Sequence, residues 1–474
     1  MNPEAVDWAS VGVPLLVAVG AIAALLVDAF WPGGGWRRQG VVAVAGLVAA
    51  GAWLAETGSH GPLVAGFSWV ILVAALVVVV LTQSLEDDPA MPPGESTFLL
   101  LSATAGALTL AAARDFVTLV VALELLSLPS IALVALRRDR RESVSAAWTF
   151  FLASATATAV TLMGLSLLYG LTGTLTYAGV NEALQTSEAP VRVMAAVVVM
   201  VLVGLVFKVG AVPFHLWIPD AYRGAPIPVA AFLSVVSKGG ALAALLVVLA
   251  YPLLPLQPRW DVFVAVVAGL SMTLGNIGAL VQREMVGMLA WSSIAQGGFV
   301  VAPMVALAVQ ADLVLTAPLR YLAVYAMANL TVFAVAVVAA RRFGGTTYAH
   351  LAGVGRRDPL LGAALVLGLL TLAGFPPAVI GLLAKYLVLQ PVVVGGYAWL
   401  AGVMAVNVAL GLVYYLRLVV VAYAPADRVG NGVPPVTSVR EGRGARLAYA
   451  VVVVGAVALA ATSVAPTLLL GALP

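Results

Sequence analysis

Lys208, Lys238 and Lys385 are the only lysines among 474 residues, against twenty-one arginines, and all three lie inside apolar runs. An ammonium group at the centre of a membrane helix costs about 2.5–3.5 kcal/mol, so such a lysine normally faces a bundle interior or a hydrated cavity. The competing reading is snorkelling, in which a lysine near a helix end carries its charge to the headgroups. Lys208, in LVFKVGAVPFHLW at 205–217, stands near one end of its run. Lysines used for snorkelling or topology would also occur in loops, and none does.

Glu124, in DFVTLVVALELLSLPSIALVAL, is the clearest mid-helix carboxylate, and its spacing to Pro129 repeats that of Lys208 to Pro213. Proline removes the hydrogen bond to the carbonyl four residues earlier, here Leu125 and Val209, each adjacent to the ionisable residue. Backbone loosened beside a charge can recruit water and so pass protons, although a plain helix kink accounts for either proline alone. Burial favours a neutral amine and a nearby carboxylate favours the ammonium. A buried lysine whose glutamate partner moves or changes protonation can therefore hold and release a proton. His215 follows Pro213 and is either a proton carrier toward the cytoplasm or a satisfied interfacial histidine. Asp28 is either functional or an anchor near a helix end, and His60 and His350 fall in loops. The tyrosines and tryptophans read as interface belts.

The elements that must hold these residues are set by composition. With 62% hydrophobic and 9% charged residues and a mean hydropathy of +1.08, the chain is an all-α polytopic membrane protein. The absence of cysteine excludes disulfides, thiolate-held iron–sulfur clusters and a cysteine nucleophile. Three scattered histidines do not supply paired haem ligands, and no phosphate-binding, dinucleotide-binding or metal-binding pattern is present, so no cofactor or metal is expected in this chain. The start, MNPEAVDWASVGVPLL, lacks a basic n-region, and residues 11–31 are expected to be a retained first helix.

Fourteen apolar runs, numbered helix 1 to helix 14, fall near 11–31, 40–55, 66–83, 96–113, 115–136, 144–170, 192–212, 225–251, 261–282, 285–308, 313–340, 358–393, 397–423 and 447–470. The twelfth carries Pro376-Pro377 and is expected to split. Loops after odd-numbered helices hold sixteen arginines against four after even-numbered ones, which puts the odd loops in the cytoplasm and both termini outside. The loop QSLEDDPAMPPGE after helix 3 is an acidic exception. Helix 7 reads Lys208-x4-Pro213 and helix 12 reads Pro376-Pro377-x7-Lys385, a reversal that fits an inverted repeat with broken helices 7 and 12; chance placement of prolines fits as well.

The stretch FKVGAVPFHLWIPDAYRGAPIPVAAFLSVVSKGGALAAL, 207–245, resembles the central block of the antiporter-like membrane subunits of respiratory complex I. MTLGNIGAL, MLAWSSIAQGGF, YLAVYAMANLTVF, HLAGVGRRDPLL, LAGFPPAVIGLLAKY and NVALGLVYYLRLVVVAY extend the likeness downstream, and ARDFVTLVVALELLSLPS extends it upstream. The ELLSLP form of helix 5, the lysine in helix 12 and the lack of a long C-terminal lateral helix favour the subunit N branch. The resemblance implies helices 1–3 over 1–95, inverted five-helix repeats over 96–251 and 252–423, and a loop with helix 14 over 424–474. It further implies a proton relay in which Glu124 pairs with Lys208, Lys238 lies on a central axis and Lys385 serves the second half. Protons enter from the cytoplasm past Lys208 and Lys238 and leave past Lys385. The implied setting is a bacterial plasma-membrane NADH-quinone oxidoreductase, with quinone, NADH, FMN and iron–sulfur chemistry in partner subunits. The alternatives are a subunit of a multi-subunit cation/proton antiporter or membrane-bound hydrogenase, or a scaffold with a dead channel. Thr149-Phe150-Phe151 replaces the family's helix 6 lysine motif, Val286-Gly287 replaces its basic pair, and Trp291 replaces its tyrosine.

Overall fold

The computed structural model describes residues 8–31, 33–58, 61–88, 90–187, 189–425 and 442–473. His60, Arg428 and Arg440 lie outside the described residues. Within them thirteen helices are long and apolar enough to cross a membrane: Val11–Phe30, Gly35–Thr57, Pro62–Leu85, Pro93–Ala112, Phe116–Ala135, Arg141–Thr172, Val191–Val209, Ile227–Ala250, Leu254–Leu280, Met285–Ala306, Ala311–Phe343, Ala398–Tyr423 and Arg443–Val464. Two shorter apolar helices, Pro359–Ala373 and Val379–Val394, flank Pro376-Pro377 and form helix 12. The fourteen expected helices are thus present in order. Helices 8, 10 and 11 make the centre, each with 94% of its apolar window buried by other helices.

Backbone irregularity is confined to few places, because a spanning segment has no water to pair stray amides. Helix 7 ends at Val209, where Gly210 takes φ +77°, and resumes as Trp217–Gly224. Helix 12 stops at Ala373 with Gly374 at φ +72°. A left-handed glycine closes the last turn, and the following proline cannot restart it. Helix 5 behaves differently. It runs without interruption from Phe116 to Ala135 through Pro129, so the equal spacing of Glu124–Pro129 and Lys208–Pro213 does not give equal geometry. The residues around Pro129 include no glycine able to turn the chain left-handed. A further irregularity, not expected from sequence, is the π-helical segment Leu233–Ser237, directly before Lys238.

Contacts sort the loops onto two faces. On one, Arg137 pairs with Asp88 and Arg341 with Asp87, while Glu86 accepts from the Gly444 amide at 2.7 Å. These join the loops after helices 3, 5, 11 and 13. The acidic loop after helix 3 is therefore a set of counter-ions for the arginines of its own face. On the other, Asn181 donates to the Tyr251 carbonyl at 2.5 Å and Gln257 to that of Val305 at 2.8 Å, joining the loops after helices 6, 8 and 10.

One main-chain motif appears on both faces. Phe116 N donates to Leu175 O and Tyr177 N to Arg114 O, both at 3.0 Å, tying the start of helix 5 to the end of helix 6. Met285 N donates to Thr346 O at 2.9 Å and Tyr348 N to Arg283 O at 3.0 Å, tying helix 10 to helix 11 in the same way. Five helices separate the two instances.

Gly210 should be irreplaceable. A Cβ there would lie 1.9 Å from Ile218 Cδ1 on a left-handed backbone, whereas one on Gly402 meets nothing within 4 Å. Thermal unfolding of the detergent-solubilised protein is expected to show Gly210→Ala losing about 1–2 kcal/mol from backbone conformation alone, with Gly402→Ala unchanged or slightly raised.

Candidate functional site

Lys208 sits in the last turn of the first half of helix 7 and is 1% exposed, which rules out snorkelling. Its Nζ donates to Ser127 Oγ at 3.1 Å and stands 5.1 Å above the Phe150 ring. Phe150 is held in place by stacking on Trp217 at 4.0 Å. Phe150 thus offers an aromatic face to the lysine of helix 7, a cation–π contact. Glu124 is one turn before Ser127 on the same face of helix 5, and its charge bears on Lys208. Its Oε1 accepts from Thr158 Oγ1 of helix 6 at 2.5 Å. The two charges form no contact ion pair with each other: Lys208 Nζ is engaged by Ser127 and Glu124 by Thr158. Either group can therefore change protonation without breaking a direct bond between them.

Lys238 is 2% exposed, one residue past the π-helical segment. A π-turn widens the helix by one residue and shifts the following side chains around the axis, which aims Lys238 at helix 10. There its Nζ donates to the Ser293 carbonyl and to Ser293 Oγ at 2.7 Å. Ser293 Oγ also pairs with Tyr222 Oη at 3.2 Å. Gly297, one turn on, leaves a gap: a Cβ there would fall 3.5 Å from Lys238 Nζ and 3.6 Å from the Val209 carbonyl. That carbonyl is the one Pro213 cannot pair, so the break in helix 7 and Lys238 adjoin the same small space.

Lys385 is 7% exposed in the second half of helix 12. Its stem packs on Gly374, where an added Cβ would come within 2.6 Å of Cδ, and its Nζ lies 4.4 Å over the Phe299 ring. Between Lys238 and Lys385 runs a buried polar chain. Ser292 Oγ pairs with Tyr415 Oη at 2.5 Å, Gln296 Nε2 donates to Tyr415 Oη and to the Leu372 carbonyl, each at 3.1 Å, and Tyr321 donates to Gln296 Oε1. Gln296, Tyr321, Tyr325, Thr371 and Ala384 line an internal cavity with about 10 Å³ open to the centre of a water molecule, room for about one water. The buried hydroxyl of Tyr325 stands beside Ser293 but makes no well-formed hydrogen bond among the described residues and is suited to meet that water.

The remaining sequence candidates fall outside this chain. His215 is 7% exposed and packs edge-on against Trp291 at 5.8 Å, with Nδ1 lacking a well-formed hydrogen bond. Asp28 accepts from Gln39 at 3.3 Å, and His350 makes a local turn contact with Thr347. The expectation for the aromatic residues is corrected in part, since Trp8, Trp31, Trp148 and Trp399 are exposed while a second group is not. Tyr222, Tyr321, Tyr325, Tyr414 and Tyr415 are at most 4% exposed, as are Trp217 and Trp260; all but Tyr325 carry polar tips hydrogen-bonded to partners inside the bundle. Sequence reasoning also passed over Ser127, Thr158, Ser293 and Gln296. The signal for three of them was present: Ser127 lies at i+3 from Glu124, and WSSIAQ places Ser293 and Gln296 one turn apart in an otherwise apolar helix.

Residues 113–411 match the family described as NADH:quinone oxidoreductase/Mrp antiporter, transmembrane. The chain is 40% identical to NADH-quinone oxidoreductase subunit N 2 of Streptomyces griseus, over 92% of this chain and 85% of that one. It is 33% identical to subunit N of Geobacillus kaustophilus over 90% and 91%. A chain of respiratory complex I from Thermus thermophilus with bound aureothin superposes with a TM-score of 0.79 at 30% identity, covering 97% and 98% of the two chains. The Mrp complex of Dietzia shares the fold, with a TM-score of 0.75 at 21% identity.

Gln296 should hold the polar chain together. Replacement by leucine leaves the buried Tyr321 hydroxyl without its acceptor, a cost of about 1–3 kcal/mol. Denaturation in detergent should show that loss in Gln296→Leu and a partial recovery in Gln296→Leu/Tyr321→Phe, where the tyrosine orphan is gone and the Leu372 carbonyl alone still lacks its donor.

Proposed function

The chain belongs to the NADH:quinone oxidoreductase/Mrp antiporter family, in its subunit N branch, and we propose that it carries protons across the membrane through Glu124, Lys208, Lys238 and Lys385. It is an antiporter-like membrane subunit of a translocase, a multi-pass component of a bacterial respiratory complex with other membrane subunits as partners. Redox chemistry is assigned to those partners: quinone reduction with NADH, FMN and iron–sulfur centres elsewhere in the assembly. The plasma membrane is its proposed location. The arginine-rich face is taken as cytoplasmic, which places both termini outside.

One observation supports the relay above others. All three lysines are buried, each stands at an irregularity of its own helix, and buried hydroxyls and a water-sized cavity lie between Lys238 and Lys385. Charges kept in an apolar bundle at such cost mark a path for ions or protons. In this reading a proton taken up near Lys208 and Lys238 passes along the Gln296–tyrosine chain to Lys385 and leaves on the opposite face. Glu124 sets the charge state of Lys208 across the Ser127 and Thr158 hydroxyls. Moving one charge through 100 mV costs about 2.3 kcal/mol, so the relay needs an input from neighbouring subunits; a shift of Glu124 relative to Lys208 would suffice to start it. Residues 96–251 and 252–423 are proposed as the two inverted five-helix repeats, a division supported by the recurrent tie between helices 5 and 6 and helices 10 and 11 on opposite faces. Residues 1–95 and 424–474 flank them.

Lys208→Gln and Lys385→Gln in the assembled complex test the relay. NADH oxidation should persist while proton translocation into inverted membrane vesicles falls. Undiminished pumping in both variants defeats the proposal.

A further inference from the structure

A vestibule of about 560 Å³ opens on the arginine-rich face. Its rim carries Asp87, Asp88, Arg137 and Arg341, and Glu284 and Arg223 lie on its wall. The ion pairs Arg137–Asp88 and Arg341–Asp87 hold the rim charges apart in two couples, and Glu284 is engaged by Thr346 Oγ1 at 3.0 Å. These pairings brace four loops around a polar hollow that reaches inward to Tyr222. Val286, standing where the family carries part of a basic pair, also lines the hollow, so no long cation from that position fills it.

Tyr222 is the point at which the vestibule meets the buried chain. It lines the hollow, is 1% exposed, and its hydroxyl is bonded to Ser293 Oγ, which is bonded in turn to Lys238 Nζ. We propose that protons reach Lys238 from this vestibule through the Tyr222 and Ser293 hydroxyls, without passing His215. The inference rests on the reading of Lys238 as a relay residue. The step balances as a hop: water in the vestibule delivers a proton to the Tyr222 oxygen, the original Tyr222 hydroxyl proton passes to Ser293 Oγ, and the Ser293 proton passes to the neutral amine of Lys238. Both hydroxyls are neutral before and after, and reorientation of each O–H resets the path. Among the described residues His215, packed on Trp291, has no hydrogen-bonded connection to this sequence of groups.

Tyr222→Phe removes the hydroxyl and keeps the ring that packs near Phe333 at 6.3 Å. In the intact complex reconstituted into vesicles, proton translocation is expected to fall by about tenfold or more, in line with the loss of a positioned proton-transfer group. Millimolar imidazole or formate, small enough to carry protons into the hollow, should restore part of it, an effect that a packing defect would not show. Ser293→Ala should give the same loss, and it stands as the second variant if Tyr222→Phe assembles poorly. His215→Gln should pump normally. Unchanged pumping in Tyr222→Phe and Ser293→Ala, or a loss that no small buffer rescues, overturns the route. Lys238→Gln separates this outcome from failure of the relay: if that variant too pumps fully, the relay reading is at fault, and if it does not, the fault lies with the vestibule route alone.

Discussion

An ammonium group inside an apolar bundle must find oxygen or an aromatic face, and this requirement organises the interior. Regular helix offers neither, since every carbonyl is already paired along the axis. The chain meets the need by bringing each lysine to a disturbed stretch. Lys208 lies two residues before the left-handed turn at Gly210, Lys238 follows the π-helical segment, and Lys385 packs on the left-handed Gly374 at the break in helix 12. Phenylalanine rings complete two of the three settings. The irregular backbone therefore coincides with the three lysines.

Close helix contact supplies the rest of the enclosure. Glycine lets backbones meet where a side chain would hold them apart: a Cβ on Gly240 would lie 2.7 Å from the Ala107 carbonyl, and one on Gly275 would lie 2.5 Å from the Ala295 amide. These contacts press helix 8 onto helix 4 and helix 10 onto helix 9, so Lys238 and Ser293 meet with little freedom between them. Tyrosine then serves where a lysine would be too costly. It brings a hydroxyl into the core on a large apolar body and stays neutral, which suits Tyr321, Tyr325 and Tyr415 to a chain that links charged sites without adding charge.

The two faces follow a different logic. The arginines that set topology do not float free on their face. Arg137 and Arg341 reach acidic residues of the loop after helix 3, and Arg342 reaches Asp358 at 2.9 Å. Exposed ion pairs of this kind contribute little stability individually. Their effect here is geometric: they tie distant loops into a rim and leave a polar hollow between them.

The helix count, the burial of the three lysines, the mid-helix carboxylate and the breaks in helices 7 and 12 were legible in the amino-acid sequence, because hydropathy, charge cost and proline chemistry act locally. Pro129 shows the limit of that reasoning. Its spacing to Glu124 matches that of Lys208 to Pro213, yet helix 5 continues, since a break also needs a residue that turns left-handed. The tyrosines show a second limit, for composition cannot distinguish a ring at the lipid interface from one whose hydroxyl meets a partner more than seventy positions away. The partners themselves, Ser127 for Lys208, Thr158 for Glu124 and Ser293 for Lys238, come from other helices in every case. The sequence by itself determined which charges enter the membrane and where the backbone yields. Only the tertiary structure decided what each charge touches, because those contacts depend on helix packing and rotation, which no single segment encodes.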